Sequence, residues 1–254
     1  MVNHLAKRII PCLDIKDGQV VKGVNFVGLK SVGDPIELAR FYNDSLADEL
    51  VILDITASFE HRQIIVELIR EIAKEVYIPL TIGGGIKTLD DMYVLLDAGA
   101  DKISINSAAI ANPSLIEQAA KRFGSQCVVV AIDVRLSDLG YEVYVKGGRE
   151  PTGILLADWA RICRDKGAGE FLLTSMDTDG TKSGYDIAAL QTLREASDLP
   201  IIATGGAGKM EHLGEIFSLD VADAALAASI FHNNEISIVD AKHYLRNCGI
   251  SVRL

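Results

Sequence analysis

Short runs of apolar, often β-branched residues alternate with longer stretches of helical periodicity along the whole chain. Between 64 and 72, isoleucine and leucine recur on one helical face. Helix starts are indicated at 34–37, 88–91 and 112–114, where a capping side chain precedes a proline or an acidic residue. The candidate strands lie at 8–13, 50–54, 79–83, 101–105, 127–132, 170–174, 200–204 and 223–228.

These candidate strands are continuously apolar rather than alternating, which is typical of parallel strands covered by helices. Eight strand–helix units in about 250 residues predict one closed (β/α)8 barrel, a TIM barrel, over residues 1–254. A doubly wound open sheet is the alternative. An open sheet, however, gives no reason for the chain to repeat as two equal halves.

The chain does repeat one pattern after about 120 residues. Residues 9–14 and 128–133 are apolar runs that end in aspartate, and the glycine-rich stretches 81–87 and 203–209 also correspond. A long internal repeat indicates an architecture of similar units. The predicted half-barrels span approximately 1–123 and 124–254.

The composition narrows the classes of partner. The net charge of −10 argues against a nucleic-acid partner, because neutralising that backbone needs clustered Lys and Arg. A small phosphorylated ligand is not excluded, since backbone amides can hold it. No apolar run approaches the roughly 18 residues of a membrane span, and the N-terminus has no signal-peptide pattern. We expect a cytoplasmic protein without membrane contact.

Cysteine and histidine show no spacing typical of a metal site. The cysteines at 12, 127, 163 and 248 form no C-x-x-C pair, and the five histidines are scattered. Such cysteines behave as small apolar residues, which fits a reducing compartment. We predict no metal.

Glycine-rich turns end strands three and seven, at 83–85 and 205–208. Glycine lets backbone N–H groups approach an anion, and a following helix N-terminus adds a favourable dipole. The ends of strands four and eight, 103–107 and 225–229, add small residues and a hydroxyl beside these turns. The alternative is that these glycines only allow tight turns of the backbone. Their symmetry favours two phosphate sites, and therefore a substrate with a phosphate at each end.

Asp14 and Asp133 end strands one and five, which are opposed in an eight-stranded barrel. A carboxylate that closes an apolar strand is costly unless it is used, and two facing carboxylates suit general acid and general base work. The alternative is a turn cap or an ion pair with a nearby lysine. Asp179 follows strand six and is expected beside a phosphate, whereas Asp54 after strand two is more ambiguous.

Two loops follow the aspartate-ending strands and should overhang the mouth of the barrel. The loop at 139–147 reads as an inserted hairpin, and its counterpart is 17–23. Lys22 in the first loop is weak evidence alone, since loop lysines are usually solvated.

Four charges of alternating sign begin strands at the opposite end of the barrel. A stabilising ring of ion pairs is one interpretation, because burial demands pairing. A polar constriction across the barrel axis is the other. The four residues are Arg8, Glu49, Lys102 and Glu170.

The motifs at 7–14, 53–58, 99–106, 179–186 and 205–212 resemble those of the cyclase subunits of imidazole glycerol phosphate synthases. The resemblance covers essentially the whole chain. It implies an ammonia-dependent step of histidine biosynthesis, in which a substrate with two phosphates gives imidazole glycerol phosphate and aminoimidazole carboxamide ribonucleotide. It implies no cofactor.

The resemblance also assigns roles to residues. Asp14 and Asp133 match the acid/base pair, with Lys22 assisting on a mobile loop, and we favour Asp133 as the base. Ser107 stands where threonine is familiar, so the hydroxyl is retained. Residues matching one phosphate site are Gly85, Asn106 and Ser107, and those matching the other are Asp179, Gly180, Gly206, Ala228 and Ser229.

A glutaminase partner is implied at the N-terminal face of the barrel, where Asp101 and Gln126 match positions that face it. Ammonia would pass from this partner along the barrel axis. The four strand-starting charges match the gate of that channel.

Three alternatives stay open at this point. The preceding isomerase of the same pathway also has two phosphates and paired carboxylates, but the charged ring and the run at 11–14 favour the cyclase. A paralogue that forms an amidine on a nucleotide sugar would not need both glycine turns. A scaffold that only binds a partner would not keep both aspartates.

Overall fold

The computed structural model describes residues 5–24, 27–55 and 59–254, and only the backbone of 22–24, 27–32 and 59–64. All eight predicted strands are present within this range. The strands are β1 Arg8–Lys16, β2 Gln19–Val24, β3 Val27–Gly33, β4 Leu50–Asp54, β5 Leu80–Gly83, β6 Lys102–Ile105, β7 Val128–Ser137, β8 Gly140–Val145, β9 Glu150–Leu155, β10 Glu170–Ser175, β11 Ile201–Thr204 and β12 Ala224–Ala227.

The helices of the described residues lie between these strands and after the last of them. The Asp34 side chain accepts hydrogen bonds from the backbone of Ile36 and Glu37, and Thr88 forms a capping box with Asp91, so two of the three predicted starts are confirmed with their caps. At the third, a helix begins at Ser114 as predicted, but no side chain caps it. The helices are α1 Pro35–Asp44, α2 Phe59–Glu75, α3 Leu89–Asp97, α4 Ser107–Ala111, α5 Ser114–Phe123, α6 Leu156–Asp165, α7 Ile187–Ala196, α8 Met210–Ser218, α9 Ser229–His232 and α10 Ile238–Asn247, with a 3-10 turn at Ser125–Cys127.

Eight of the strands pair in parallel and close into a barrel. Their order is β1, β4, β5, β6, β7, β10, β11 and β12, and β12 pairs with β1 again. The predicted TIM barrel is confirmed, and the open sheet is excluded. Because β1 and β7 are four places apart in a ring of eight, they face each other across the axis.

Strands β1 and β7 run further than predicted. They continue past 13 and 132 to Lys16 and Ser137 and leave the barrel as antiparallel extensions, in which β2 and β3 follow β1, and β8 and β9 follow β7. The apolar runs had indicated that Asp14 and Asp133 end their strands, and this prediction was wrong. Both aspartates lie within the strands. They lie where each strand leaves the barrel, since Asp14 still pairs with Leu53 of β4 and Asp133 with Thr174 of β10.

The apolar side chains form two clusters. The larger lies between the barrel and its helices and includes Trp159, Tyr42 and Phe171. Each fully buried side chain of this size contributes about 1.5–3 kcal/mol. The smaller cluster fills the inside of the barrel, between the strand-starting charges and the two aspartates. Its buried members are Ile10, Cys12, Val51, Val129, Leu172, Ile202, Ala224 and Leu226.

Among the described residues, no helix combines the length and apolar character needed to cross a bilayer. Within the same ranges, no group of three or more histidine, cysteine or acidic side chains is arranged to hold a metal ion.

Candidate active site at the carboxyl ends of the strands

Three carboxylates share the mouth of the barrel. Burial, together with a smaller contribution from the nearby charge of Asp179, raises the pKa of both Asp14 and Asp133 to about 6. Burial also raises the pKa of Asp179. Asp179 was expected beside a phosphate only, yet its field reaches both members of the proposed acid/base pair. Carboxyl groups with a pKa near 6 can exchange protons close to neutral pH.

Asp133 is the better hydrogen-bonded of the two opposed aspartates. The Asn106 side-chain amide donates to Oδ2 of Asp133 at 3.0 Å, and the Thr174 hydroxyl also donates to this carboxylate. Both bonds favour the charged form and offset part of the effect of burial. The buried Oδ1 of Asn106 has no hydrogen-bond partner within the described part of the chain. This oxygen is therefore open to a donor on a ligand.

Asp14 has weaker support. The Cys12 thiol lies 3.9 Å from Oδ1 of Asp14, at the limit of a sulfur hydrogen bond. Burial and the charge of Asp14 hold the pKa of Cys12 well above its ordinary value, so this thiol stays protonated. Cys12 belongs to the apolar cluster inside the barrel, which agrees with its interpretation as a small apolar residue.

The two glycine turns require glycine for the same reason. Gly84 and Gly206 have positive φ angles of 95° and 98°. A Cβ at Gly84 would collide with the carbonyl oxygen of Asp54, and one at Gly206 with that of Gly184. Backbone this close leaves no room for a side chain, and it brings main-chain groups to the mouth.

The second turn is tied to the loop after β10. The backbone N–H of Gly184 donates to the carbonyl of Gly206 at 2.8 Å, and the Thr178 hydroxyl donates to that of Gly205 at 3.3 Å. Asp179 and Gly180 lie in this same loop, and the N–H of Gly180 bonds to the Asp179 carboxylate. Of the residues expected at this end, two lie in these packed segments, and the other two lie at the start of α9, after β12, which pairs with β11. They are Gly180, Gly206, Ala228 and Ser229.

The first turn lies beside the end of β6. Gly85 has a positive φ of 62°, and Asn106 immediately precedes α4, which begins at Ser107. The Ser107 hydroxyl accepts a hydrogen bond from the backbone N–H of Lys146 at 3.0 Å. The hairpin after β7 therefore reaches the expected phosphate residues. The sequence placed the loop at 139–147 over the mouth of the barrel but gave no signal for this particular contact.

Lys22 lies on β2, where its backbone pairs with Lys30 of β3. Its side chain is outside the part of the chain that the structure describes. Residues 56–58, part of one family-like motif, are outside it as well.

A hydrogen-bond chain that the sequence did not indicate reaches the strand of Asp14 from outside the barrel. The His232 ring lies 2.6 Å from the Tyr42 hydroxyl at Nδ1 and 3.0 Å from the Cys12 carbonyl at Nε2. Since a carbonyl can only accept, neutral His232 carries its proton on Nε2 and accepts from Tyr42. His232 ends α9, so this chain of hydrogen bonds links α9 to α1 and β1.

The four strand-starting charges form a closed ring at the opposite end of the barrel. Arg8 lies 2.5 Å from both Glu49 and Glu170, while Lys102 lies 3.0 Å and 2.9 Å from the same two carboxylates. Burial opposes the charge of Arg8, but the two glutamates outweigh it, and the pKa of Arg8 is raised. This pairing is the one that the interpretation as a ring of ion pairs predicts.

Asp101 and Gln126 lie at this same end and are exposed. The Asp101 carboxylate accepts a hydrogen bond from the backbone of Leu80 at 2.8 Å, and Gln126 belongs to the 3-10 turn before β7. The structure thus places both residues near the beginnings of the barrel strands, on the side away from the three mouth carboxylates.

The chain is similar over nearly its whole length to known proteins. The family model described as "Histidine biosynthesis protein" matches residues 8–237. A protein of Wolinella succinogenes named imidazole glycerol phosphate synthase subunit HisF is 62% identical over 255 residues, covering 100% of both chains. Proteins of the same name from two strains of Bacillus cereus are 57% identical over 251 residues, covering 98% of this chain and 100% of theirs.

Proposed function

Because the chain belongs to the histidine biosynthesis family, among the HisF subunits of imidazole glycerol phosphate synthase, we propose specific roles for its residues in the cyclase reaction. The observation that carries the proposal is the pair of opposed aspartates between two glycine turns at one end of the barrel. The relatives favour this synthase over the isomerase, the amidine-forming paralogue and the scaffold.

The proposed substrate is phosphoribulosyl-formimino aminoimidazole carboxamide ribonucleotide, which carries a phosphate at each end. Ammonia condenses with the ribulosyl ketone, the formimino C–N bond is cleaved, and the imidazole ring closes. The products are imidazole glycerol phosphate and aminoimidazole carboxamide ribonucleotide. These steps need proton transfers on opposite sides of one substrate, and this is the work of a facing acid and base.

Asp133 acts as the base and Asp14 as the acid. The donors on Asp133, from Asn106 and Thr174, stabilise its charged form, and a charged carboxylate accepts a proton. Asp14 has only the weak Cys12 thiol as a donor and is therefore the easier of the two to keep protonated. Lys22 assists from the extension after β1.

The two phosphates are held at the two turns. Backbone N–H groups, the Ser107 and Ser229 hydroxyls and the starts of α4 and α9 supply donors to anionic oxygens. Asp179 positions the second turn rather than contacting the anion, since two negative groups repel. The proposed phosphate residues are Gly85, Asn106 and Ser107 at one end and Gly180, Gly206, Ala228 and Ser229 at the other.

Ammonia enters from the ring of charges and travels along the barrel axis. All four contacts of the ring are closed in this structure, so passage requires at least one of them to open. Lys102 has the most exposed side chain of the four, at 19%, and its contacts are longer than those of Arg8. We therefore assign the opening to Lys102.

The relatives' name as a synthase subunit implies a partner subunit. We place a glutaminase at the end of the barrel that carries the ring, with Asp101 and Gln126 facing it. A cytoplasmic location is part of the same proposal and rests on the cysteine pattern.

We also propose that residues 1–123 and 124–254 are two half-barrels of common design. Matched details support this division. The Asp101 carboxylate accepts from the backbone of Leu80 at 2.8 Å, and the Asp223 carboxylate accepts from that of Ile201 at 3.0 Å. Both bonds join the beginnings of neighbouring strands at equivalent places in the repeat.

The test is turnover of the proposed substrate by the isolated chain with an ammonium salt at alkaline pH, followed by ultraviolet absorbance. We expect ammonium-dependent turnover that the Asp133→Asn variant lowers by about 10²–10⁴-fold. Turnover that Asp133→Asn leaves unchanged would contradict the role of Asp133 as the base, and tight binding without turnover in the wild-type chain would point to a missing partner or a paralogue. Absence of binding would contradict the two-phosphate site.

A further inference from the structure

Lys146 has a backbone conformation that is unusual for a lysine. Its φ angle is 56°, and it begins the turn between β8 and β9, in which Gly147 and Gly148 also have positive φ. The left-handed region costs roughly 1 kcal/mol or more for a residue with a Cβ. A glycine would relieve this strain, so the lysine side chain at this position calls for an explanation.

The backbone of Lys146 contacts the first phosphate turn. Its N–H donates to the hydroxyl of Ser107 at 3.0 Å, although the two residues are 39 apart in sequence. A serine hydroxyl has one hydrogen and two acceptor lone pairs. Because Lys146 occupies a lone pair, the hydrogen of Ser107 is left to donate to another acceptor. A phosphate oxygen is such an acceptor.

The side chain of Lys146 forms only an exposed ion pair. Its Nζ lies 2.8 Å from the Glu150 carboxylate, but the two side chains are 62% and 53% exposed. Exposed pairs of this kind contribute about 0–1 kcal/mol. A phosphate bound at Ser107 carries up to about two negative charges, as a phosphomonoester does, and would compete strongly for this ammonium group.

We propose that Lys146 is a further substrate-binding residue, whose N–H orients the Ser107 hydroxyl and whose ammonium group leaves Glu150 to pair with the phosphate held there. The inference rests on the proposed function and deepens it. It also agrees with the internal repeat, because Lys146 in the second half corresponds to Lys22 in the first. Each antiparallel extension would then carry one lysine to the substrate.

The test compares Lys146→Gln with Glu150→Gln in ammonium-dependent turnover. If Lys146 binds phosphate, Lys146→Gln raises KM about 5–10-fold with kcat within about twofold, which corresponds to a lost charge pair of about 1–1.4 kcal/mol. Glu150→Gln removes the competing partner and leaves KM unchanged or lower. Lys146→Arg restores most of the affinity, since it keeps the charge.

Lys121→Gln is the matched control, because Lys121 forms the same kind of exposed pair with Glu117 on α5. It should leave KM and kcat unchanged. Equal rises in KM for Lys146→Gln and Glu150→Gln would mean that the pair only stabilises the hairpin, and this would overturn the proposal. An unchanged KM in Lys146→Gln would overturn it too.

Competitive inhibition by inorganic phosphate distinguishes a failure of the role of Lys146 from a failure of the proposed function. We expect inhibition of the wild-type chain that weakens in Lys146→Gln and in Ser107→Ala. Weakening in Ser107→Ala alone would overturn the role of Lys146 but keep the phosphate site. A wild-type chain with neither turnover nor inhibition would overturn the proposed function, and the role of Lys146 with it.

Discussion

The side-chain amide of Asn106 donates to Oδ2 of Asp133 at 3.0 Å and thereby joins an expected phosphate residue to an expected catalytic base. The amide oxygen of Asn106 is buried and has no hydrogen-bond partner among the described residues. A ligand that engages this oxygen would therefore also fix the amide that supports Asp133. On the proposed roles, substrate binding and the basicity of Asp133 would be linked through this one side chain.

The Asn106→Ala variant tests this link. The lost hydrogen bond favoured the charged carboxylate, so its removal raises the pKa of Asp133 above about 6. The base must be deprotonated to act, and the acidic limb of the kcat–pH profile should move up by about one unit. Asn112→Ala is the control. Asn106 precedes α4 and Asn112 follows it, but the Asn112 side chain accepts a hydrogen bond from the Ser114 hydroxyl at the surface. An unshifted limb would separate Asn106 from Asp133.

The Asp14→Asn variant should be inactive yet more stable at neutral pH. Burial raises the pKa of Asp14 from 3.8 to about 6, so the folded state disfavours its charge. The associated stability is present below pH 4 and is lost as the pH rises through 6. Urea unfolding at pH 8 should show a gain of about 1–2 kcal/mol, with little gain at pH 4. A loss of stability at pH 8 would contradict this account.

The Gly206→Ala variant should be destabilised by more than backbone strain alone. The new Cβ collides with the carbonyl of Gly184, which adds about 1–3 kcal/mol to roughly 1–2 kcal/mol for the positive φ. Gly249→Ala isolates the second contribution, since Gly249 has a φ of 80° and open space around it. Thermal unfolding compares the two. Equal losses would rule out the collision as a cause.

The Arg8→Met variant tests the ring of charges. It leaves Glu49 and Glu170, whose side chains are 6% exposed, with Lys102 alone, and should cost about 3–5 kcal/mol. Arg40→Met is the control, because Arg40 pairs with Glu75 at the surface and should cost less than about 1 kcal/mol. Chemical denaturation measures both. If the ring does not stabilise the protein, Arg8→Met and Arg40→Met will lower the free energy of unfolding by similar amounts.

The barrel could be predicted because each strand buries both faces and therefore appears as an apolar run. The ends of β1 and β7 could not, because Ile15 and Val134 continue the strand pattern into extensions that are stabilised by pairing with β2 and β8. The short helices α4 and α9 show no periodicity, since neither completes two turns.

In the candidate site, too, features set by local sequence could be predicted, and features set by tertiary contacts could not. The glycine turns and the aspartates could be located from the sequence, because their local chemistry is unusual. The influence of Asp179 on both aspartates could not, since it depends on distances across the closed barrel. The same holds for the bond between Tyr42 and His232, which joins residues 190 apart.

The apolar cluster inside the barrel has a consequence for the proposed ammonia route. Eight buried side chains separate the charged ring from the carboxylates at the mouth, and such a region dissolves neutral molecules far better than ions. Ammonium would have to leave its proton behind before crossing. The barrel interior then works as a solubility filter, which delivers the free base with its lone pair available and needs no group that recognises nitrogen.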